Sequence, residues 1–447
     1  MGKQPNILWI MTDQQSAGMM SCTGNPYLHT PHMDAIAAEG VRYTNAYCTN
    51  PVCLPSRFSL FTGLYPSELG IRSNDADKEM PTDRLPEVVT ENGFGKLMSA
   101  AGYRAAYGGK EHLPATTAAE LGFEYLCDDE RDGLADACAD FLADQSDERP
   151  YFLVASFINP HDICFMAISD NAVAEEDVYI KNHYPVENST MRCAQQPPAG
   201  VSEAEFYERV CPPLPENYLP AQDEPEAITI MQSKRMFKQL SRKNYTDRDW
   251  RLHRYTYARL TELVDRQIGR VLDAARRRAD FDNTVVIFTS DHGDMDASHK
   301  LEHKTALYRE ATKIPLLVRG VSGKRRGVLS DVPVSNGTDL ICTVLDYAGA
   351  RIPAHLTGLS LKPLTEGEAE DLGRECVIVE SQYGTAAVDR HAAYALYNVG
   401  ERAEQYYDYA TNPHEKFNQL DDPRFAERRE KLRGAVRAWE SRRRLID

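Results

Sequence analysis

Asn6-Ile7-Leu8-Trp9-Ile10-Met11, followed at once by Thr12-Asp13-Gln14-Gln15, is a short apolar run ending in polar, ligand-capable side chains. An unbroken run of this length predicts a strand buried on both faces, as in a parallel sheet. The pattern returns three times. Tyr103 to Tyr107 ends in Gly108-Gly109-Lys110-Glu111-His112, Tyr151 to Ile158 in Asn159-Pro160-His161-Asp162, and Thr284 to Thr289 in Ser290-Asp291-His292-Gly293-Asp294. Ligands of an open parallel α/β sheet bind beyond the carboxyl ends of its strands. If the four runs are neighbours, their tails converge on one site. Loop exposure alone accounts for polar tails, but not for a choice of Asp, His and Lys with so few Ser or Glu.

Working outward, Cys53-Leu54-Pro55-Ser56-Arg57 follows the turn-rich Thr49-Asn50-Pro51 and precedes Phe58-Ser59-Leu60-Phe61, a segment that ends at Gly63. Pro55 and Ser56 suit a helix's first turn, where a missing N–H costs nothing and a hydroxyl can cap. This places Cys53 just before a helix N-terminus and Arg57 one turn inside. A helix N-terminus with a guanidinium attracts anions, and a thiol there ionises readily. Taken alone, a cysteine before a helix is more often only a small buried residue.

The remaining chain frames these stretches. Pro31 to Gly40, with Met33, Ile36 and Ala37 at helical spacing, predicts a helix closed by a C-cap glycine. From His161 to about Asp247 the prolines at 185, 197, 198, 212, 213, 215 and 220 predict an irregular insertion over the site. Thr246 and Asp249 then form a capping box for a helix with an apolar stripe of Tyr257, Leu260, Val264, Ile268 and Val271, read as core. A strand at Ile314 to Val318 and a helix from Gly337 to about Ala348 follow. Short strand-like pieces, Cys376 to Glu380 and Ala392 to Asn398, precede a charged terminal helix. The expected architecture is α/β: a large mixed, mostly parallel sheet flanked by helices over residues 1–365, and a smaller C-terminal α+β subdomain over 366–447.

Of 447 residues, 42% are hydrophobic and 26% charged, which reads as soluble and globular. Net charge is 51 − 67 = −16, and no basic patch interleaves with aromatics, which argues against nucleic acid as a partner. It does not exclude an anionic substrate in a local basic pocket. No run is long enough to span a membrane, and the chain enters its first strand without an apolar leader. Ten cysteines are scattered singly, with no Cys-x-x-Cys pair, as expected of reduced thiols. The expectation is a cytoplasmic protein, unless a leader has been removed. Oligomeric state is left open.

Asp13, Gln14, Asp291 and His292 offer two carboxylates, an amide oxygen and an imidazole at two strand ends. The oxygens suit Ca²⁺ or Mg²⁺, and the imidazole shifts the balance toward Mn²⁺. At this point the chain resembles the type I, formylglycine-dependent sulfatases of the alkaline phosphatase superfamily. Cys-x-Pro-Ser-Arg is their maturation signature, continued here by Thr62-Gly63-Leu64-Tyr65-Pro66. Further matches follow in family order: Gly109-Lys110-Glu111-His112, Asn159-Pro160-His161, and Lys304 ahead of Tyr308-Arg309-Glu310. The last is a C-terminal hairpin pattern of Tyr406-Tyr407-Asp408, Asn412-Pro413-His414-Glu415 and Asn418-Gln419-Leu420.

The resemblance implies an alkaline-phosphatase-like fold and hydrolysis of a sulfate ester, most often on a sulfated carbohydrate. It also implies that Cys53 is oxidised by a formylglycine-generating enzyme to Cα-formylglycine, whose aldehyde hydrate is the nucleophile. One divalent metal, Ca²⁺ before Mg²⁺ or Mn²⁺, would be held by Asp13, Gln14, Asp291, His292 and residue 53. Arg57 and Lys110 would hold the hydrate or sulfate, and His112 would deprotonate the hydrate's second hydroxyl. His161 and Lys304 would bind sulfate and protonate the leaving alkoxide. Asp162, His299 and His303 are further substrate-contact candidates. Gln14 and His292 depart from the commonest Asp and Asn, a variant also found in phosphonate monoester and phosphodiester hydrolases of the superfamily, which are the alternative reading. Substrate choice is expected to lie in the loops at 113–120, 162–245 and 295–303.

Overall fold

The computed structural model describes residues 3–74, 86–113, 116–144 and 148–442; two residues of the first substrate loop, 114 and 115, lie outside them. The first apolar run is β1 (Asn6–Asp13), every residue of it buried. It lies mid-sheet because both edges are paired in parallel. Ile7 stands opposite Phe152 of β6 (Tyr151–Pro160) on one side and Val285 of β7 (Thr284–Ser290) on the other. With β2 (Val41–Tyr43), β4 (Arg104–Gly109), β5 (Glu124–Tyr125), β8 (Leu316–Arg319) and β9 (Val328–Ser330), the order is β5-β4-β6-β1-β7-β8-β2-β9. Every pairing within it is parallel except those made by β8. The short β3 (Ala46–Tyr47) and β10 (Val334–Ser335) form a separate parallel pair. The four runs recognised in the sequence are thus the consecutive strands β4, β6, β1 and β7.

The alternation of β1 explains its continuous apolarity. Ile7, Trp9 and Met11 join Phe58, Phe61 and Ile341 on one face, while Leu8 and Ile10 join Val264, Ile268 and Val271 on the other. The first face is covered by α2 (Cys53–Thr62) and α6 (Asn336–Tyr347). The second is covered by α1 (Pro31–Glu39) and the 30-residue α5 (Asp247–Arg276). All ten residues of α2 are buried. It fits between sheet and α6 because small residues line the contact: a Cβ on Gly337 would meet Thr49 and Ser59 at 2.7 and 2.8 Å.

Three local expectations change. Residues 162–245 are largely helical, including α3 (Cys164–Asp170), Glu175–His183, Pro185–Ala194, Glu226–Ser233 and α4 (Met236–Asn244). Of the prolines that suggested irregularity, Pro185 opens a helix at its first position, whereas those at 197, 198, 212, 213, 215 and 220 do lie in irregular stretches between helices; Pro225 stands at the N-cap of another helix. Met191, Phe165 and Met166 seat the insertion against Tyr257 and Leu260 of α5. Gly40 ends α1 with φ −144°, not left-handed; it is needed because a Cβ would lie 2.3 Å from the Val318 carbonyl oxygen. Cys53 is the first residue of α2, and the Ser56 hydroxyl donates to the Asp291 carbonyl, 2.5 Å away, while Asn74 Oδ1 accepts the Leu54 N–H. The Thr246–Asp249 capping box forms as expected.

At the C-terminal end β11 (Val377–Ser381), β12 (Gly384–Val388), β13 (Ala392–Tyr397) and β14 (Glu404–Asp408) make an antiparallel sheet in sequence order. The helix α7 (Ala426–Arg442) lies on it through Leu432 and Val436. The opposite face meets Tyr47, Leu307 and Tyr308 of the larger unit. No helix among the described residues is long and apolar enough to cross a membrane. Buried Glu380 of β11 joins the parts: its carboxylate accepts the Ser67 N–H (2.8 Å), the Ser67 hydroxyl (2.6 Å) and the Trp439 indole N–H (2.6 Å). Removing it strands three donors. Glu380→Ala should lower stability by about 3 kcal/mol, read from urea unfolding, and Glu380→Gln should lose less because it keeps an acceptor. An alanine variant as stable as the parent would show that the corner is solvated.

Candidate active site

The register of the sheet places the site. Thr12 of β1 stands opposite Ser290 of β7, so Asp13 and Asp291 leave adjacent strands side by side. Lys110 follows β4, and His161 follows β6. Arg57 reaches up from α2 into this row of strand ends, fully buried. Its Nε donates to Asp291 Oδ2 (2.8 Å), Nη2 to Asp13 Oδ2 (3.1 Å), and Nη1 to the Lys110 carbonyl (2.9 Å) and Ser156 Oγ (2.8 Å). Arg57 therefore braces the carboxylates from behind, where the resemblance led us to expect a sulfate contact.

In front of that brace, five side chains converge on Cys53. Its Sγ lies 2.7 Å from Lys304 Nζ, 3.2 Å from His292 Nε2 and 3.6 Å from Asp13 Oδ1, and hydrogen-bonds the side chains of His112 and His161. Lys110 Nζ lies 2.6 Å from Asp13 Oδ2. Burial raises the Cys53 thiol, but Lys304, Lys110 and His292 outweigh it and hold the group well below the usual thiol range. Burial and Cys53 raise Asp13, yet Lys110, His161 and Arg57 hold it below the ordinary carboxylate range. Asp291 goes the other way, raised by burial and by Asp13, as two carboxylates sharing one pocket require. Burial, reinforced by Lys110, lowers His161 to about 4.

One ligand atom each from Asp13, Cys53, Asp291 and His292 lies within 4.8 Å of the others, all buried. His292 Nδ1 faces the Gly293 carbonyl at 2.8 Å, which directs Nε2 into the cluster. Gln14 adds an oxygen. Its Nε2 donates to Asp294 Oδ2 (2.6 Å), so the amide turns Oε1 toward the pocket, where it accepts from Lys304 (2.7 Å) and the Cys164 thiol (3.1 Å). Two carboxylates, an amide oxygen and one imidazole nitrogen fit a divalent cation.

Not every candidate converges. Asp162 is buried in a two-oxygen pairing with Arg131, both contacts 2.9 Å. His303 lies one residue from Lys304 but gives Nε2 to the Cys164 carbonyl (3.1 Å) and its ring to Phe237. His299 stacks on Tyr308 at 4.2 Å beside Asn217. Four residues with site roles escaped the sequence reading. Ser156 anchors Arg57, Asp294 orients Gln14, and Cys164 meets Gln14. Tyr257 looked like plain core in its helical stripe, yet its hydroxyl donates to the Gln14 carbonyl (2.6 Å) and accepts the Ser16 N–H. Only the position of Asp294, two residues after His292 in a strand tail, carried any signal.

The sulfatase family model matches residues 5–350, and that of the C-terminal part of N-sulphoglucosamine sulphohydrolase matches residues 297–442. The chain is 30% identical to the uncharacterized sulfatase YidJ of Escherichia coli, over 97% of this chain and 86% of that one. It is 29% identical to a Delta 4,5-hexuronate-2-O-sulfatase of Bacteroides thetaiotaomicron, over 95% and 86%. The solved structure of a 2-O GAG sulfatase superposes with a TM-score of 0.80 at 27% identity, over 98% of this chain and 92% of that one.

The Asp294 contact yields a test. Its two oxygens serve two donors, Gln14 Nε2 and the Asp296 N–H, and an asparagine has one acceptor for both. Asp294→Asn should weaken Ca²⁺ or Mn²⁺ binding by roughly 10–100-fold in calorimetric titration, with the circular dichroism spectrum retained. Unchanged affinity would remove Gln14 from the ligand set.

Proposed function

This chain belongs to the sulfatase family and is a sulfuric ester hydrolase, and from that premise we propose that it acts on a sulfated carbohydrate at Cys53, after oxidation of Cys53 to Cα-formylglycine. The observation that carries the reading is the convergence of Lys304, His292, Asp13, His112 and His161 on one sulfur at the head of α2. A merely structural buried cysteine has no need of two histidine hydrogen bonds and an ammonium at 2.7 Å. The carbohydrate part draws on relatives named for hexuronate and GAG sulfates.

In this reading Asp13, Gln14, Asp291 and His292 hold a divalent cation, Ca²⁺ first, which when bound supplies Lewis-acid neutralisation of charge at the ester. Everything else is done by the chain's side chains. Lys110 and Lys304 present ammonium groups to sulfate oxygens from two sides of residue 53. His161, kept neutral by burial and Lys110, orients the reacting group by hydrogen bonding. Its Nδ1 is buried and has no hydrogen-bond partner among the described residues. His112 is exposed at the rim and hydrogen-bonds residue 53, so it can pass a proton to solvent. Lys304 carries the proton for the departing alkoxide, a poor leaving group without one. Arg57 touches the carboxylates and keeps them in place.

The ligand variant Gln14–His292 favours a second reading, hydrolysis of a phosphonate monoester or phosphodiester by the same residues. The ratio of turnover on an aryl sulfate to that on an aryl phosphodiester separates the two, and a ratio below one would favour the second.

Co-expression with a formylglycine-generating enzyme should convert the tryptic peptide spanning Cys53 to a mass lighter by the exchange of sulfur for oxygen with loss of two hydrogens. An unconverted thiol would sink the formylglycine route. In the matured protein, His112→Ala should lower kcat by about 10²–10⁴ with a much smaller change in KM, as expected on loss of a proton-transfer group. Chelation with EDTA should abolish turnover and Ca²⁺ should restore it; full activity in EDTA would exclude the proposed cation.

A further inference from the structure

Gln14 reaches the site only because its backbone takes an unusual turn. Its φ is 67°, in the left-handed region that residues with a Cβ avoid, and it is fully buried. Hydrogen bonds from the neighbouring strand hold the start of the turn. The Gln14 N–H donates to Asp291 Oδ1 (3.0 Å), and the Gln15 N–H to Ser290 Oγ (2.9 Å). That leaves the Gln14 carbonyl and the Ser16 N–H, which have no backbone partner among the described residues. One hydroxyl serves both: Tyr257 Oη donates to the Gln14 carbonyl (2.6 Å) and accepts the Ser16 N–H (2.9 Å).

The hydroxyl is delivered by α5. Tyr257 is fully buried there, in one apolar cluster with Met19, Phe165, Met166 and Met191, so packing fixes its ring independently of the turn it holds. The clamp continues to the second ligand-bearing turn. Ser16 Oγ, 3.3 Å from the Tyr257 hydroxyl, accepts the Asp294 N–H and lies 3.0 Å from the Asp294 and Glu310 carbonyl oxygens. Asp294 in turn holds Gln14 Nε2 through Oδ2 (2.6 Å). Backbone and side chain of Gln14 are thus fixed by one connected set of bonds. Without the Tyr257 hydroxyl a buried carbonyl loses its donor. The turn also loses a contact that opposes relaxation of residue 14 toward negative φ, a change that redirects its Cβ and with it the amide.

We propose that Tyr257 is the positioning residue for Gln14: its hydroxyl templates the left-handed turn and so aims Oε1 into the cluster of Asp13, Asp291 and His292. The proposal rests on the reading of Gln14 as a ligand of the divalent cation. It draws a side chain from the apolar stripe of a core helix into the machinery of the site.

The test is calorimetric titration with Ca²⁺ and with Mn²⁺ of the full-length parent, Tyr257→Phe, Gln14→Ala and the double variant. Phenylalanine keeps the packed ring and removes only the hydroxyl. Gln14→Ala should weaken cation binding, and Tyr257→Phe should weaken it by roughly 10–100-fold, the usual loss when a group that orients a ligand is removed. Added to Gln14→Ala, Tyr257→Phe should change the affinity by less than about twofold, because the group it acts through is already gone. Ser16→Ala, at a half-buried position, serves if Tyr257→Phe does not fold. It breaks the same clamp at its other end and should also weaken binding only while Gln14 is present. An equal factor in both backgrounds would mean general support of the fold and overturns the proposal, as does unchanged affinity in Tyr257→Phe. Gln14→Ala protein that binds as tightly as the parent overturns instead the ligand role of Gln14, and a parent that binds neither cation overturns the cation reading itself.

Discussion

The guanidinium of Arg57 is the constraint on which the site depends. It is fully buried and bonds to groups on four neighbouring strands or their ends: Asp13, Asp291, the Lys110 carbonyl and Ser156. Two carboxylates on adjacent strands would repel each other in a low-dielectric interior. The planar fork of arginine can satisfy both while keeping their outer oxygens directed forward, which a lysine's single point charge cannot. Such a pair contributes little net stability, because desolvation offsets most of the attraction. Its value is geometric: the strand ends are spaced by a rigid object, and Cys53 is carried on the same helix about one turn away. Nucleophile and carboxylates are therefore set by one element.

That arrangement explains what was legible in the sequence. β1, β4, β6 and β7 are buried on both faces, so their apolar runs are unbroken and their polar ends abrupt. The convergence of Asp13, Lys110, His161, Asp291 and His292 follows from parallel topology alone. The insertion was not legible, because its helices are short and take their stability from packing on α5 through Met191, Phe165 and Met166. Of the prolines read as irregularity, Pro185 begins a helix, while the other six lie in the irregular links between helices, so that reading held for the links and failed for the segments they join.

The site residues divide along the same line. Those at strand ends could be named from spacing. Arg57 was identified, but its work behind the carboxylates depends on where α2 lies beneath the sheet. Ser156 and Tyr257 are ordinary residues in a strand and in an apolar stripe, and they matter only because of what their hydroxyls reach. His299 and His303 illustrate the reverse case. Both precede Lys304 closely in sequence, yet the loop turns them toward Tyr308 and Cys164.

That loop shows what aiming Lys304 requires. Asp296, Ala297, His299, Lys300, His303 and Thr305 all have positive φ, as do Gln14 and His112 elsewhere in the site. Each such non-glycine residue costs of order 1–3 kcal/mol and persists only when its surroundings leave no alternative. The surroundings here are identifiable. The Met295 N–H bonds the His303 carbonyl, the Thr305 N–H bonds the Pro51 carbonyl just ahead of Cys53, and the His299 N–H bonds the Asn217 carbonyl of the insertion. The loop is thus anchored both to the segment that delivers Cys53 and, through Asn217, to the insertion. Any shift of the insertion would be felt at Lys304. The position of its ammonium is set by a backbone held away from its preferred conformation by contacts on two sides.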